Sequence, residues 1–170
     1  MNASWNASSL AEHSGGRIVC GDPQAAAPSS VTIDSRQAGP GTLFVGLAGS
    51  QQDGGAFAAA ALAAGAWGVI VTGQHASSLA SASDAVVIAV DDPLRALAEL
   101  AQAWRRELGC AVIAVTGSTG KTSTKDIIAG MLVPSRSTVA TFENFNTEIG
   151  LPLTILGAPA GTEVLVLEMA

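Results

Sequence analysis

Apolar positions change period along this chain, and each change predicts an element. Arg17–Cys20, Val31–Asp34 and Leu43–Gly46 are short apolar runs that read as strands, with Gly39-Pro40-Gly41 as the turn before the third. Residues 5–14 suit a short helix stopped by Gly15-Gly16. Gly54-Gly55 opens an alanine-rich helix ending near Gly65, and Trp67–Thr72 and Val86–Val90 follow as compact apolar strands. Ser77–Ser83 lies between those two strands; it is polar and reads as a loop or a single helical turn.

After residue 90 the pattern becomes more regular. Asp92 can cap a helix whose first position is Pro93. Leu94, Leu97, Ala101, Trp104 and Leu108 then recur at helical spacing, and Gly109 supplies the stop. Ala111–Thr116 has the continuous apolar character of a buried strand. A helix over about Lys121–Leu132, a short strand near Ser137–Ala140 and an apolar strand at Glu163–Leu167 follow. Before residue 90, short strands are mixed with helices; beyond it, helix, strand, glycine-rich turn, helix and strand alternate as in a parallel α/β sheet. The fold class is therefore α/β. A small mixed domain over residues 1–90 precedes the beginning of a parallel-sheet domain over 91–170, with the boundary near 88–93.

Composition narrows the function classes. The chain has 170 residues, 48% hydrophobic and 13% charged, which suits a packed core rather than disorder. Its formal net charge of −6 argues against nucleic-acid or anionic-membrane partners. The longest apolar run, Ala56 to Val71, is shorter than the roughly 20 residues of a bilayer span, so no membrane insertion is expected. No basic residue precedes Arg17 and no apolar leader core is present, so a secretory signal is not expected and the cytoplasm is the expected compartment. Cys20 and Cys110 form no paired motif, which points to reduced thiols. His13 and His75 are isolated and read as ordinary surface residues. Positive charge is scarce: the only lysines are Lys121 and Lys125, one helical turn apart.

Those lysines fall in the segment with the most specific chemistry. Strand Ala111–Thr116 runs into Gly117-Ser118-Thr119-Gly120-Lys121-Thr122-Ser123 and then a helix. Glycines in such a turn let backbone N–H groups face one point, and the positive end of the following helix adds to them, giving a nest for phosphate oxygens. Lys121 is placed for the β- and γ-phosphates and the Thr122 hydroxyl for Mg²⁺. Val115 stands where the longer form of this motif has its first glycine. A structural glycine turn with an exposed lysine would use the same letters; the flanking strand and helix favour nucleotide binding. Lys125 reads as a solvated helix residue, with a second phosphate contact as the alternative. Glu168 follows the last apolar strand, and ligands gather at the carboxyl ends of parallel strands. A carboxylate there can reach Mg²⁺ or simply face solvent. Ser35 and Arg36 suit either a diphosphate or a surface turn in which Arg36 meets Asp34.

Three stretches of this sequence resemble the Mur ligases, ATP-dependent amide-forming enzymes of peptidoglycan synthesis. The first comprises Ile33-Asp34-Ser35-Arg36, Pro40 to Leu47 and Asp53-Gly54. The second is Thr116 to Ser123, in which a missing first glycine is normal for the family. The third, Asn144 to Thr154, is most similar to the type that adds D-alanyl-D-alanine. Gly55 departs from a frequent histidine, Thr147 from a frequent asparagine and Ala170 from a common glycine.

The resemblance implies an N-terminal domain that holds a UDP-muramoyl substrate and a central domain that binds ATP. It implies substrate contacts at Ser35, Arg36, Asn146, Thr147 and Glu148, and nucleotide contacts at Gly117, Ser118, Thr119, Gly120, Lys121, Thr122 and Ser123. Lys121 and Glu168 would be catalytic, with Thr122 and Glu168 on Mg²⁺. The implied reaction joins D-Ala-D-Ala to UDP-N-acetylmuramoyl-tripeptide through an acyl phosphate. A related ligase of the family, a folylpolyglutamate-type ligase, another phosphate-loop enzyme or a non-catalytic nucleotide- or UDP-sugar-binding module are the alternatives. The expectation is that the chain lacks the C-terminal portion of its own protein, leaves a sheet edge exposed and is inactive alone.

Overall fold

The computed structural model describes residues 5–49, 52–79, 85–142 and 145–170. The chain forms two compact units, Met1–Leu100 and Ala101–Ala170.

In the first unit the described strands are β1 (Arg17–Cys20), β2 (Ser30–Thr32), β3 (Thr42–Val45), β4 (Gly68–Thr72) and β5 (Val86–Val90). They form one sheet in the order β1-β5-β4-β3-β2. All neighbours run parallel except β1, which pairs antiparallel with β5. Continuous apolar runs in β3, β4 and β5 bury every residue except Thr72, as expected for strands covered on both faces. Helices α1 (Ala7–His13), α2 (Ala58–Ala63) and α3 (Gly73–Leu79) accompany the sheet. Phe44, Val69, Val71, Val87 and Ala89 pack with Ala58 and Ala61 of α2 and with Ala76 and Leu79 of α3. The alanine content of this unit thus serves close helix-to-sheet packing.

Helix α3 differs from expectation, which placed only a loop or a single turn at Ser77–Ser83. It begins at Gly73, and Ala76 and Leu79, three positions apart, are buried on one face. Two inward residues among polar neighbours give too weak a periodic signal to recognise in the sequence. Residues 80–84 of that stretch lie outside the described residues. The alanine-rich helix is also shorter than expected, because Gly54–Phe57 forms a 3-10 turn before α2.

Helix α4 (Pro93–Leu108) runs across the division between the units. The Asp92 carboxylate accepts from the N–H groups of Leu94 at 2.9 Å and Arg95 at 3.3 Å, completing the expected cap.

The second unit contains β6 (Ala111–Val115), α5 (Lys121–Leu132), β7 (Thr138–Ala140), α6 (Gly150–Leu156) and β8 (Val164–Glu168). Its sheet has the order β6-β8-β7, all parallel. Helix α5 lays Ile128, Ala129 and Leu132 against Val115, Val164 and Val166. Leu151 and Ile155 of α6 pack with Leu165 and Leu167. The Trp104 indole donates to the carbonyl of Ala158 at 2.9 Å, fixing the end of α4 to the turn after α6. Among the described residues no helix is long and apolar enough to cross a membrane.

Sequence pattern did not predict α6, because Gly150 and Pro152 look like helix breakers. Both sit in the first turn, where a proline lacks no hydrogen bond the helix needs. Gly150 is required for another reason: a Cβ there would lie 2.4 Å from the Cα of Phe145. Gly150→Ala is therefore expected to destabilise the chain by about 1–3 kcal/mol. Gly130 lies in α5 with nothing within 4 Å of its Cβ direction. Gly130→Ala is expected to stabilise by up to ~1 kcal/mol. Denaturant unfolding of the two variants beside the parent checks both signs.

Candidate nucleotide-binding site

Parallel pairing brings the phosphate loop and Glu168 together. Val115, the last residue of β6, is in register with Glu168, the last of β8. The chain leaving β6 therefore turns beside that carboxylate. Gly117 has φ +145° and Gly120 has φ +74°, values that L side chains rarely adopt, and no atom lies near enough to either to exclude a Cβ on space alone. These two glycines are set by backbone conformation, as the motif requires.

Gly120 is the N-cap of α5, and among the described residues no side chain caps that helix. The first-turn N–H groups are thus left to an external acceptor, at the end where the helix dipole favours an anion. Ser118, Thr119, Thr122 and Ser123 are exposed around this turn. The Lys121 ammonium folds back to donate to the carbonyl of Gly117 at 2.9 Å, so it lies over the loop it was expected to serve.

Glu168 is 3% exposed. Its Oε1 accepts from the Asn146 amide at 2.9 Å, and its backbone N–H donates to the Thr141 hydroxyl at 3.0 Å. Its Oε2 is buried with no hydrogen-bond partner among the described residues. The Asn146 amide is the main cause holding this carboxyl below the usual range; the nearby Thr122 hydroxyl and the charges of Lys125 and Lys121 act the same way, against burial. Glu168 is accordingly an ionised carboxylate beside the phosphate loop and the Thr122 hydroxyl, its Oε2 unpartnered among the described residues.

That donor set fits Mg²⁺. No group of three or more His, Cys, Asp or Glu that could hold a metal occurs among the described residues. Mg²⁺ does not need one, since it is commonly held by one or two carboxylates together with phosphate oxygens and water. Glu168 Oε2 and the Thr122 hydroxyl are the protein groups that would hold it.

The segment after β7 divides into different local roles. Asn146 reaches Glu168, while the Thr147 hydroxyl accepts the N–H of Gly150, the first residue of α6, at 3.2 Å. Glu148 is exposed, and Asn144 lies outside the described residues. Lys125, expected to be solvated, is instead 4% exposed. Its ammonium donates to the Thr141 carbonyl at 2.6 Å and pairs with Asp126 at 2.9 Å. One-turn spacing from Lys121 does not reveal this, because the burial comes from the strand opposite.

The first unit carries a second group of expected site residues. Asp34 caps a 3-10 turn over Ser35–Gln37 and binds the Arg36 guanidinium through both oxygens, with contacts of 2.9 and 2.7 Å. The Arg36 side chain remains 87% exposed. Its side-chain hydrogen bonds, more than any other cause, lower the pKa of Asp34 to about 2. Ser35 is half-buried in the same turn. Contact between Asp34 and Arg36, one of the two readings of this segment, is thus present.

His75 is not the isolated surface residue expected from the sequence. Its Nε2 lies 2.7 Å from Asp53 Oδ2, and Asp53 Oδ1 accepts the N–H of Gly55 at 2.9 Å. The imidazole is the leading cause that lowers the pKa of Asp53. A Cβ on Gly55 would lie 2.2 Å from the His75 ring. The glycine at 55, read only as a departure, was the available signal that a side chain from elsewhere fills this space.

Comparison with known proteins identifies relatives across both units. Residues 28–105 match a family model described as Mur ligase family, catalytic domain, and residues 115–170 match the Mur ligase middle domain. A UDP-N-acetylmuramoyl-tripeptide–D-alanyl-D-alanine ligase of Bacillus subtilis is 44% identical over 139 residues, covering 82% of this chain and 30% of the relative. The enzyme of the same name from Mycobacterium tuberculosis is 40% identical, covering 95% and 36%. A crystal structure of MurF from Acinetobacter baumannii superposes with TM-score 0.85 at 29% identity, covering 97% of this chain and 35% of that one. MurF ligase from Thermotoga maritima in complex with ADP superposes with TM-score 0.70 at 38% identity, covering 83% and 32%. The chain spans about a third of the length of these relatives. With two of the family's models matched one after the other over most of its length, this chain belongs to the Mur ligase family.

Proposed function

We propose that this chain forms the substrate- and nucleotide-binding part of a cytoplasmic, ATP-dependent ligase that adds D-Ala-D-Ala to UDP-N-acetylmuramoyl-tripeptide in peptidoglycan precursor synthesis. The observation that carries the reading is the buried Oε2 of Glu168, unpartnered among the described residues, at the end of β8 and in register with the strand that enters the phosphate loop. Similarity to the D-alanyl-D-alanine ligases supports the choice of reaction, and the ADP-bound relative supports the choice of nucleotide.

On this reading residues 1–90 bind the UDP-muramoyl substrate and residues 91–170 bind ATP. The tripeptide carboxylate takes the γ-phosphoryl group of ATP with release of ADP, and the resulting acyl phosphate is attacked by the amine of D-Ala-D-Ala, which gives up a proton. An amide forms, and phosphate leaves. Magnesium, when bound, neutralises phosphate charge. The loop from Gly117 to Ser123 holds the phosphates with its backbone N–H groups. Lys121 exchanges the Gly117 carbonyl for phosphate oxygens and offsets the charge that develops on the transferred group. Asn146 keeps Glu168 oriented, and Thr147 and Glu148 border the substrate. In the first unit Ser35 and Arg36 contact the UDP moiety, with Asp34 holding the guanidinium in place until the diphosphate competes for it.

Isothermal titration of the chain with Mg-ATP and with UDP-N-acetylmuramoyl-tripeptide is expected to show both ligands binding. Binding of ATP alone would move the assignment to another phosphate-loop enzyme, and binding of the UDP-sugar alone to a non-catalytic module. Lys121→Ala in the full-length ligase is expected to reduce ATP turnover by at least ~100-fold; near-normal turnover would exclude the assigned role. Arg36→Ala is expected to raise the carboxyl titration of Asp34 from about 2 towards the usual carboxylate range, with the retained backbone N–H of residue 36 holding it somewhat below, as read by NMR, and to weaken UDP-substrate binding. Because the folded-state pKa is depressed, the stabilisation from this pair is complete above the usual carboxylate range and disappears as pH falls towards about 2.

A further inference from the structure

We propose that Lys125 is a positioning residue for the metal-binding carboxylate: from beneath the phosphate-loop helix it holds Thr141, and Thr141 holds the backbone of Glu168. The inference rests on the reading of Glu168 as a magnesium ligand and extends it to residues that touch neither metal nor nucleotide.

The geometry makes Thr141 the junction of this relay. It is 1% exposed, directly after β7, and all three of its polar groups are used. Its N–H donates to the carbonyl of Val166 at 3.0 Å, continuing the β7–β8 pairing by one residue. Its carbonyl accepts from the Lys125 ammonium at 2.6 Å, and its hydroxyl accepts from the N–H of Glu168 at 3.0 Å. Lys125 lies one turn along α5 from Lys121 and Thr122, so the helix that begins at the loop also fixes the strand end that carries the carboxylate.

A role in packing alone would not call for an ammonium group at this position. Burying a charge is costly, and a buried ion pair can often be replaced by an apolar side chain of similar volume without loss of stability. The carboxylate of Asp126, which pairs with this ammonium, is itself largely exposed. The buried polar contact that Lys125 makes is the one to Thr141.

Titration of the 170-residue chain with ADP, once with Mg²⁺ and once with EDTA, tests the relay. The parent is expected to bind ADP more tightly with Mg²⁺. Lys125→Met is expected to weaken Mg-ADP binding by about 10–100-fold while leaving the affinity for ADP in EDTA unchanged, as for other residues that orient metal ligands. Thr141→Val is expected to lose the same magnesium-dependent increment, and Thr141→Ser to keep it. Unchanged Mg-ADP affinity in Lys125→Met, or an equal loss with and without metal, overturns the proposal. If near-UV circular dichroism shows that Lys125→Met does not fold, the Thr141 pair decides: Thr141→Val keeping the increment overturns it. A parent without any magnesium-dependent increment removes the underlying reading of Glu168, which is a different result from a parent and a Lys125→Met variant that respond alike.

Discussion

Parallel pairing of β6 with β8 is the constraint on which the second unit depends. Parallel strands present their carboxyl ends at the same edge of a sheet, so a loop that follows one and a side chain that ends the other meet without further design. Here the register brings Val115 beside Glu168. Three elements are then recruited to hold that edge. Helix α5 anchors below through Lys125, the chain after β7 supplies Thr141, and the segment before α6 supplies Asn146. The last hydrogen bonds of the chain, from Met169 to Val115 and from Ala170 to Asn146, tie the same edge together.

Much of this was legible in the sequence, because the strands are apolar runs bounded by glycine, proline or aspartate; β6, which reads as a buried strand, instead leaves Ala111, Val112 and Ala114 exposed, because it is an edge strand and an apolar run does not tell an edge from a centre. The phosphate loop was legible for a related reason. Its glycines answer a backbone demand that is local, and its lysine and threonine follow at fixed spacing. Glu168 could be placed because it follows an apolar run directly, and the end of a parallel strand is a position that a sequence can express.

Contacts made across the fold were not legible. Lys125 on an exposed-looking helix is buried by a residue after a strand, and His75 is drawn from α3 to Asp53 by the closure of the loop before α2. Helix α6 was hidden because its first turn carries Gly150 and Pro152. The rule that these residues break helices applies to helix interiors, whereas here one meets the backbone of Phe145 and the other needs no donor.

The contact between Gly55 and His75 has an evolutionary consequence. An imidazole held by Asp53 occupies the volume that any side chain at position 55 would claim. A side chain at position 55 is therefore accommodated only if the His75 ring turns away from Asp53 or is replaced by a smaller one. While the His75 ring keeps its place on Asp53, glycine is held at position 55 by that contact, so the two positions are expected to vary together.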